Sequence, residues 1–269
     1  MDASDPEPGP PPVACAACAH PLKPGGLFCA HCGHRTGDPP PRVEDTLLER
    51  LRRAEVEWRE IRTVIVFYAV LLGVQAVTAL VARLGGTEGR ALLAGDVLMG
   101  AATAAAARRH RRALEGLFSA PGFGLRGYLA LVPVGAVVFA FVCGFVSGMQ
   151  ALFGLPAADR MLSLQEEGFV WVFLLICVVP PVLEEVAFRG VVYGVLERYV
   201  GKGEALVLSS VGFAILHLSV LSLFTHVPLG LYFGWLRQRS GSLYPPMFAH
   251  FVHNGLAVAN VYLGFFPSP

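Results

Sequence analysis

The chain has 269 residues, of which 54% are hydrophobic and only 15% are charged, and its mean hydropathy is +0.57. This composition excludes an ordinary soluble domain of this length and predicts a multi-pass membrane protein. The net charge is +1 and the arginines lie at the ends of apolar runs, so nucleic-acid binding has no support.

The N-terminal residues 1–13 are acidic and rich in proline. They lack the positive start and the short apolar core of a secretory signal, so the first membrane span is expected to direct insertion. Their composition predicts a disordered tail, and residues 36–42, "TGDPPPR", predict a stiff linker.

Residues 14–35 contain two CxxC pairs in "CAACAHPLKPGGLFCAHC". The four thiols are those of Cys15, Cys18, Cys29 and Cys32. Thiolates at this spacing predict a structural Zn²⁺ ion in a zinc ribbon, whose role is folding rather than catalysis. Two disulfides and a redox CxxC are weaker alternatives, because a cytoplasmic location disfavours disulfides and no βαβ pattern surrounds the motif.

Residues 43–61 have a helical repeat of apolar side chains among many Arg and Glu residues. The repeat predicts an amphipathic helix, and its apolar positions are Leu47, Leu51, Ala54, Trp58 and Ile61. This helix is expected to lie on the membrane surface, to pair with a partner helix or to form a solvated stalk.

Residues 62–269 predict an all-α, polytopic membrane domain with about seven transmembrane helices. The apolar segments lie at about 64–82, 90–107, 127–150, 168–197, 204–220, 222–237 and 243–266. The fifth and sixth are short for the ~20 residues of a span, so they are expected to be tilted or partly embedded. Cys143 and Cys177 are expected to be small packing residues. Three small-xxx-small pairs predict close helix packing: Gly144 with Gly148, Gly190 with Gly194, and Gly230 with Gly234.

Basic connections alternate with arginine-poor ones along the chain. The basic ones precede the first span and follow the second, fourth and sixth spans, as in "RRHRR", "ERYVGKG" and "RQRSG". This pattern predicts a cytoplasmic N-terminus and zinc ribbon and an external C-terminus. The preference for Arg over Lys and the Ala/Gly-rich spans favour a high-GC bacterium, and hence its plasma membrane.

The fourth apolar segment carries three charged residues in "PPVLEEVAFRG". Each costs roughly 2.5 to 3.5 kcal/mol near the bilayer centre. Glu185 and Arg189 are four residues apart and can form an ion pair, whereas Glu184 points ~100° away from Glu185, where it can address a cavity. A purely structural ion-pair cluster is the alternative to a functional site.

The double proline before these charges predicts an interruption of the helix. Pro180 and Pro181 cannot donate to the carbonyl groups of Ile176 and Cys177. The helix is therefore expected to kink there and to admit water or a donor from another helix.

Two later segments contain further polar side chains at helical spacing. His217 follows Phe213 by one turn in "FAILH", and His250 and Asn254 lie one turn apart in "HFVHN". A single histidine on an apolar face is most often a core residue, but these groups can face inward together with Glu184.

The three sequences "EEVAFR", "FAILH" and "HFVHN" resemble the motifs EExxxR, FxxxH and HxxxN of the CAAX prenyl-protease and bacteriocin-processing family. This family, also called the abortive-infection family, consists of intramembrane endopeptidases, and the resemblance covers about residues 165–262. It implies that Glu184 is the catalytic glutamate and that the other site residues are Glu185, Arg189, His217, His250 and Asn254. His253, directly before Asn254, is a departure from the usual pattern.

The resemblance implies cleavage of a membrane-anchored protein or peptide. We expect Glu184 and His217 to activate water, and His250 and Asn254 to donate to the oxyanion. A catalytic zinc ion held by Glu184, His217 and His250 is the alternative mechanism, although no HExxH motif is present.

Two other functions remain open: a non-proteolytic membrane scaffold or immunity protein with the same fold, and a transporter or proton relay. The intact polar set disfavours a degenerate scaffold, and the lack of internal repeats disfavours a transporter. The zinc ribbon is expected to recruit the substrate or a cytoplasmic partner.

Overall fold

The computed structural model describes residues 14–22, 29, 31–32, 43–85, 88–119, 123–154 and 168–265. These residues are mainly α-helical, with an isolated antiparallel bridge between Ala14 and Pro21. The predicted tail at 1–13 and the predicted linker at 36–42 lie outside the described residues. The all-α class expected from the apolar segments is confirmed.

The described helices follow one another in the order of the apolar segments. They are α1 Val43–Gly85, α2 Glu88–Arg109, α3 Arg111–Leu114, α4 Gly124–Phe153, α5 Phe169–Val200, α6 Lys202–Leu216, α7 Val220–Ser240 and α8 Tyr244–Leu263. Each of the seven apolar segments falls within or largely overlaps one of the long helices, and α1 also contains the segment at 43–61. The chain divides into two units after Val56, and the membrane helices considered below belong to the second unit.

Four helices are long and apolar enough to cross a membrane by length and composition: α1, α2, α4 and α5. Helix α6 has 15 residues, fewer than the ~20 of a full span, which agrees with the expectation of a short fifth segment. The protein is therefore an α-helical membrane protein.

Helix α5 is continuous but irregular. Its α-helical parts, Phe169–Val172, Val179–Glu185 and Tyr193–Val200, are separated by π-helical segments at Phe173–Val178 and Val186–Val192. The double proline lies at the start of the central α-helical part, directly after the first π-helical segment. The predicted interruption at the prolines thus takes the form of a π-helical turn, a structure that is frequent at functional sites.

Two large clusters of buried side chains, and a smaller one between α5 and α8, hold the described helices together. The larger joins α1, α2, α5 and α6 through residues such as Leu71, Met99, Phe188 and Phe213. The second joins α4, α7 and α8 and includes Phe233. Cys143 and Cys177, expected to be packing residues, are also buried.

Glycines let several helices approach closely. A Cβ atom on Gly230 would lie 2.9 Å from the Cβ of Ser210, and one on Gly190 would lie 2.5 Å from Leu114. The pairs Gly190 with Gly194 and Gly230 with Gly234 therefore pack as predicted. The prediction was wrong for Gly144 and Gly148, because no described neighbour lies within 4 Å of a Cβ at either position.

Candidate active site

A buried ion-pair network lies at the centre of the second unit. Arg189 donates from Nη1 to Oε1 of Glu185 at 2.9 Å, and Nδ1 of His250 donates to the same oxygen at 3.0 Å. Glu185 is 0% exposed and Arg189 is 1% exposed. The predicted ion pair of Glu185 and Arg189 is present, and the imidazole of His250 on α8 completes a network of three side chains.

The arginine of this network is enclosed by aromatic rings and by the backbone of α7. Its Nη2 atom donates to the carbonyl of Gly230 at 3.1 Å, and its guanidinium carbon lies 4.4 Å from the centre of the Phe213 ring. These contacts stabilise a buried cation through hydrogen bonding and cation–π attraction, although Nε of Arg189 has no hydrogen-bond partner. Arg189 and Glu185 therefore form a structural element between α5, α7 and α8.

Glu184 has a different environment from Glu185. Its Oε2 atom is buried without a hydrogen-bond partner and lies 3.8 Å from Nε2 of His250. The side chain lines a partly open cavity of about 740 Å³, to which α1, α2 and α4–α8 all contribute. The two adjacent carboxylates thus separate as the helical geometry predicted, one within the ion-pair network and one at the cavity.

The two histidines of the predicted site have fixed ring orientations. Nδ1 of His217 donates to the carbonyl of Phe213 at 3.0 Å, and Nδ1 of His250 donates to Glu185. Because the Nδ1–H group of each ring is committed, the Nε2 atom is left for the cavity, which both residues line. The structure therefore brings both imidazoles to the cavity that Glu184 lines.

Asn254 connects the site to the irregular part of α5. Its Nδ2 atom donates to the carbonyl of Ile176 at 2.9 Å. Pro180 cannot donate to this carbonyl, so the expectation that another helix supplies a donor there is confirmed. One of the two amide N–H groups of Asn254 is thereby committed, and the side chain also lines the cavity.

The cavity contains ionisable residues that the motif analysis did not assign to the site. Asp96 of α2 and His226 of α7 both line it, and the His226 and His217 rings lie 3.9 Å apart between centres. His253 lines it as well, but its ring packs on Phe139. The available signal for these residues was an ionisable side chain within an apolar segment, which marks a functional candidate by default.

The predicted zinc ligands converge near the N-terminus. The sulfur atoms of Cys15, Cys18, Cys29 and Cys32 all lie within 4.8 Å of one another, and two of the sulfur pairs are 3.7 Å apart. Tetrahedral Zn²⁺ with bonds of about 2.3 Å places its sulfur ligands ~3.8 Å apart, so the four cysteines fit a zinc site. Backbone N–H groups of Cys32 and His31 lower the pKa of Cys29 to about 6, which favours its thiolate.

A comparably tight set of ligands does not occur at the cavity. Within the described parts of the chain, the four cysteines are the one group of three or more His, Cys, Asp or Glu residues whose ligand atoms approach this closely. Glu184, His217 and His250 therefore do not form a compact metal-ligand set.

Together, the fold and this site define a helical membrane protein with a glutamate, two imidazoles and an amide around a partly open cavity. Residues 166–256, which contain all of these groups, match the family described as Type II CAAX prenyl endopeptidase Rce1-like. The matched segment is about a third of the chain, and the match confirms the resemblance inferred from the motifs.

A curated bacterial protein is also similar to this chain. It is the protein of Bacillus subtilis (strain 168) named "Putative membrane peptidase YdiL", which is 33% identical over 81 residues. The similar region makes up 30% of this chain and 33% of the relative, so it spans about a third of either protein. No solved structure gives a significant match.

Proposed function

We propose that the protein is an intramembrane endopeptidase that hydrolyses peptide bonds of a membrane-anchored protein or peptide with water activated by Glu184. The observation that carries this proposal is the position of the Glu184 carboxylate at the cavity, where its buried Oε2 atom has no hydrogen-bond partner and lies 3.8 Å from Nε2 of His250. The His217 ring, whose Nδ1 atom is committed to Phe213, lines the same cavity. The similarity of residues 166–256 to CAAX prenyl endopeptidases supports the same reaction class.

In the first proposed step, Glu184 accepts a proton from water as the water oxygen attacks the carbonyl carbon of the scissile peptide. Because Nδ1 of His217 donates to Phe213, its Nε2 atom can accept the second hydrogen of the water and hold the nucleophile. The π electrons of the carbonyl move to its oxygen, which becomes the oxyanion of a tetrahedral intermediate.

Two donors stabilise this oxyanion in the proposal. As an imidazolium, His250 donates Nδ1–H to Glu185 and Nε2–H to the oxyanion, and the second amide N–H of Asn254 is the other donor. When the intermediate collapses, the C–N bond breaks and protonated Glu184 gives its proton to the leaving amine. This transfer restores the Glu184 carboxylate.

The test is cleavage by the full-length protein, purified and placed in lipid nanodiscs. Peptides with an apolar membrane anchor would be incubated with wild type, Glu184→Gln and His217→Ala, and the products would be identified by mass spectrometry. We expect turnover by wild type and a loss of about 10²- to 10⁴-fold in both variants. Equal turnover by all three proteins would refute the assignment, and intact binding without any cleavage would favour a scaffold.

A second experiment separates the glutamate mechanism from a catalytic zinc ion. We expect the full chain to hold one zinc ion per molecule at the four cysteines, and a protein lacking residues 1–40 to hold none while retaining turnover in chelator. One tightly held ion in the truncated protein, required for turnover, would support the metal mechanism instead.

A further inference from the structure

The cavity contains a carboxyl group that the proposed chemistry does not use. Asp96 lies on α2, outside the segment that matches the family. It is partly exposed, yet its Oδ2 atom is buried without a hydrogen-bond partner. An acidic side chain in an apolar membrane helix is costly to insert, so an unpaired one is a functional candidate.

Helices α2 and α5 are close together near this carboxyl group. One turn after Asp96, a Cβ atom on Gly100 would lie 3.6 Å from the side chain of Leu183, the residue before Glu184. Asp96 and Glu184 line the same cavity. Because two carboxylates repel each other strongly in a medium of low dielectric constant, a cation near both would be attracted to them.

The fixed charges around the cavity are acidic. The described lining residues include Asp96, Glu184 and four histidines but neither Lys nor Arg. Arg189, which packs near the cavity, is already paired with Glu185 and bonded to the backbone. Apart from His250, which the proposed mechanism protonates, a cation that entered the cavity would therefore meet two carboxyl groups and no Lys or Arg side chain.

We infer that Asp96 is a specificity determinant that binds a Lys or Arg side chain of the substrate close to the scissile bond. This inference rests on the proposed peptidase function. A charge-assisted hydrogen bond from the substrate to Asp96 would position the peptide across the cavity from the two imidazoles. The cation would also offset the repulsion between the Asp96 and Glu184 carboxylates.

The test uses matched peptides for the full-length protein in nanodiscs. Each position within about four residues of the cleavage site carries in turn Lys or the uncharged, similarly shaped norleucine. At one position we expect wild type to prefer Lys at least tenfold in kcat/KM. Asp96→Asn should reduce the ratio of kcat/KM between the Lys and norleucine peptides to about one, and Asp96→Glu should restore it. Gln75→Leu, which changes the polarity of the same cavity, should leave the ratio at the wild-type value.

A measurement of peptide binding distinguishes failure of this inference from failure of the proposed function. In the Glu184→Gln background, the Lys peptide should bind at least tenfold more tightly than the norleucine peptide, and adding Asp96→Asn should abolish the difference. If no peptide is cleaved but this difference is found, the peptidase function fails and the cation site stands. Equal binding of the two peptides, or a preference that survives Asp96→Asn, would overturn the inference.

Discussion

Glu184 and Glu185 are adjacent in sequence, yet their contacts predict opposite results for the same substitution. Glu185→Gln leaves Arg189 buried without its carboxylate, so we expect a loss of about 3 to 5 kcal/mol in stability. The Oε2 atom of Glu184 has no hydrogen-bond partner and only a 3.8 Å contact with His250, so Glu184→Gln should change the stability little while turnover falls. Unfolding in mixed micelles and peptide cleavage measure the two effects, and an inverted pattern would contradict the division of roles.

Asn254 permits a second test at the level of single residues. Asn254→Asp keeps the size of the side chain but removes both N–H donors, so the carbonyl of Ile176 loses its partner and faces a carboxyl group. We expect a loss of about 1 to 3 kcal/mol in the free energy of unfolding. An unchanged unfolding transition would show that the bond contributes little.

Much of the site could be predicted residue by residue from the sequence. The i,i+4 spacing gave the pair Glu185 and Arg189, and the proline rule gave a free carbonyl at Ile176. The donor to that carbonyl could not be predicted, because Asn254 lies on another helix, 78 residues away. Asp96 belongs to no motif, and only the packing of α2 against α5 brings it to the cavity.

At the level of helices, glycine packing gives a matched pair of substitutions. Gly230→Ala would place a Cβ atom 3.0 Å from the backbone Cα of Ser210, so α6 and α7 must separate. We expect a loss of about 1 to 3 kcal/mol. Gly144→Ala meets no described neighbour and should be neutral or slightly stabilising. Thermal unfolding of both variants checks this contrast, and equal effects would refute it.

The existence and order of the helices followed from apolar runs, but the form of α5 did not. Hydrophobic length reports only that a segment spans the membrane. Where the turn widens to a π-helix depends on partners from other helices, such as Asn254 at Ile176, which a local pattern does not contain. Likewise, the apolar repeat at 43–61 did not reveal that these residues and the first apolar segment form one helix, α1.

At the scale of the whole membrane unit, the cavity lies in the half of the bundle opposite the basic ends. Its lining residues come from the C-terminal half of α4 and the N-terminal halves of α2 and α5. Most basic side chains of these helices lie at the other ends, namely Arg108, Arg109, Arg126 and Arg198, whereas Arg90 is at the cavity end of α2. Lys and Arg are enriched on the cytoplasmic side of membrane proteins, so we expect the basic helix ends to face the cytoplasm and the cavity to lie in the external half of the membrane.

Labelling with a membrane-impermeant maleimide in intact cells tests this orientation. Ser219→Cys, exposed after α6, should react in intact cells, whereas Glu115→Cys, exposed after α3, should react only after permeabilisation. The opposite labelling pattern would place the basic ends outside. The native Cys143 and Cys177 are buried, but Cys32 is exposed, so the four cysteines of the zinc ribbon are replaced by serine in the parent protein of both variants.

The two π-helical segments of α5 also limit how the length of this helix can vary in evolution. Each π-helical segment has more residues per turn than a regular α-helix. The α-helical part between the two segments carries both glutamates. Removing one residue from Val186–Val192 would convert the wide turn towards a regular α-helical turn and take Arg189 or its neighbours out of register with α7. Natural variants should therefore change side chains in α5 freely at its lipid-facing positions but keep the number of residues constant.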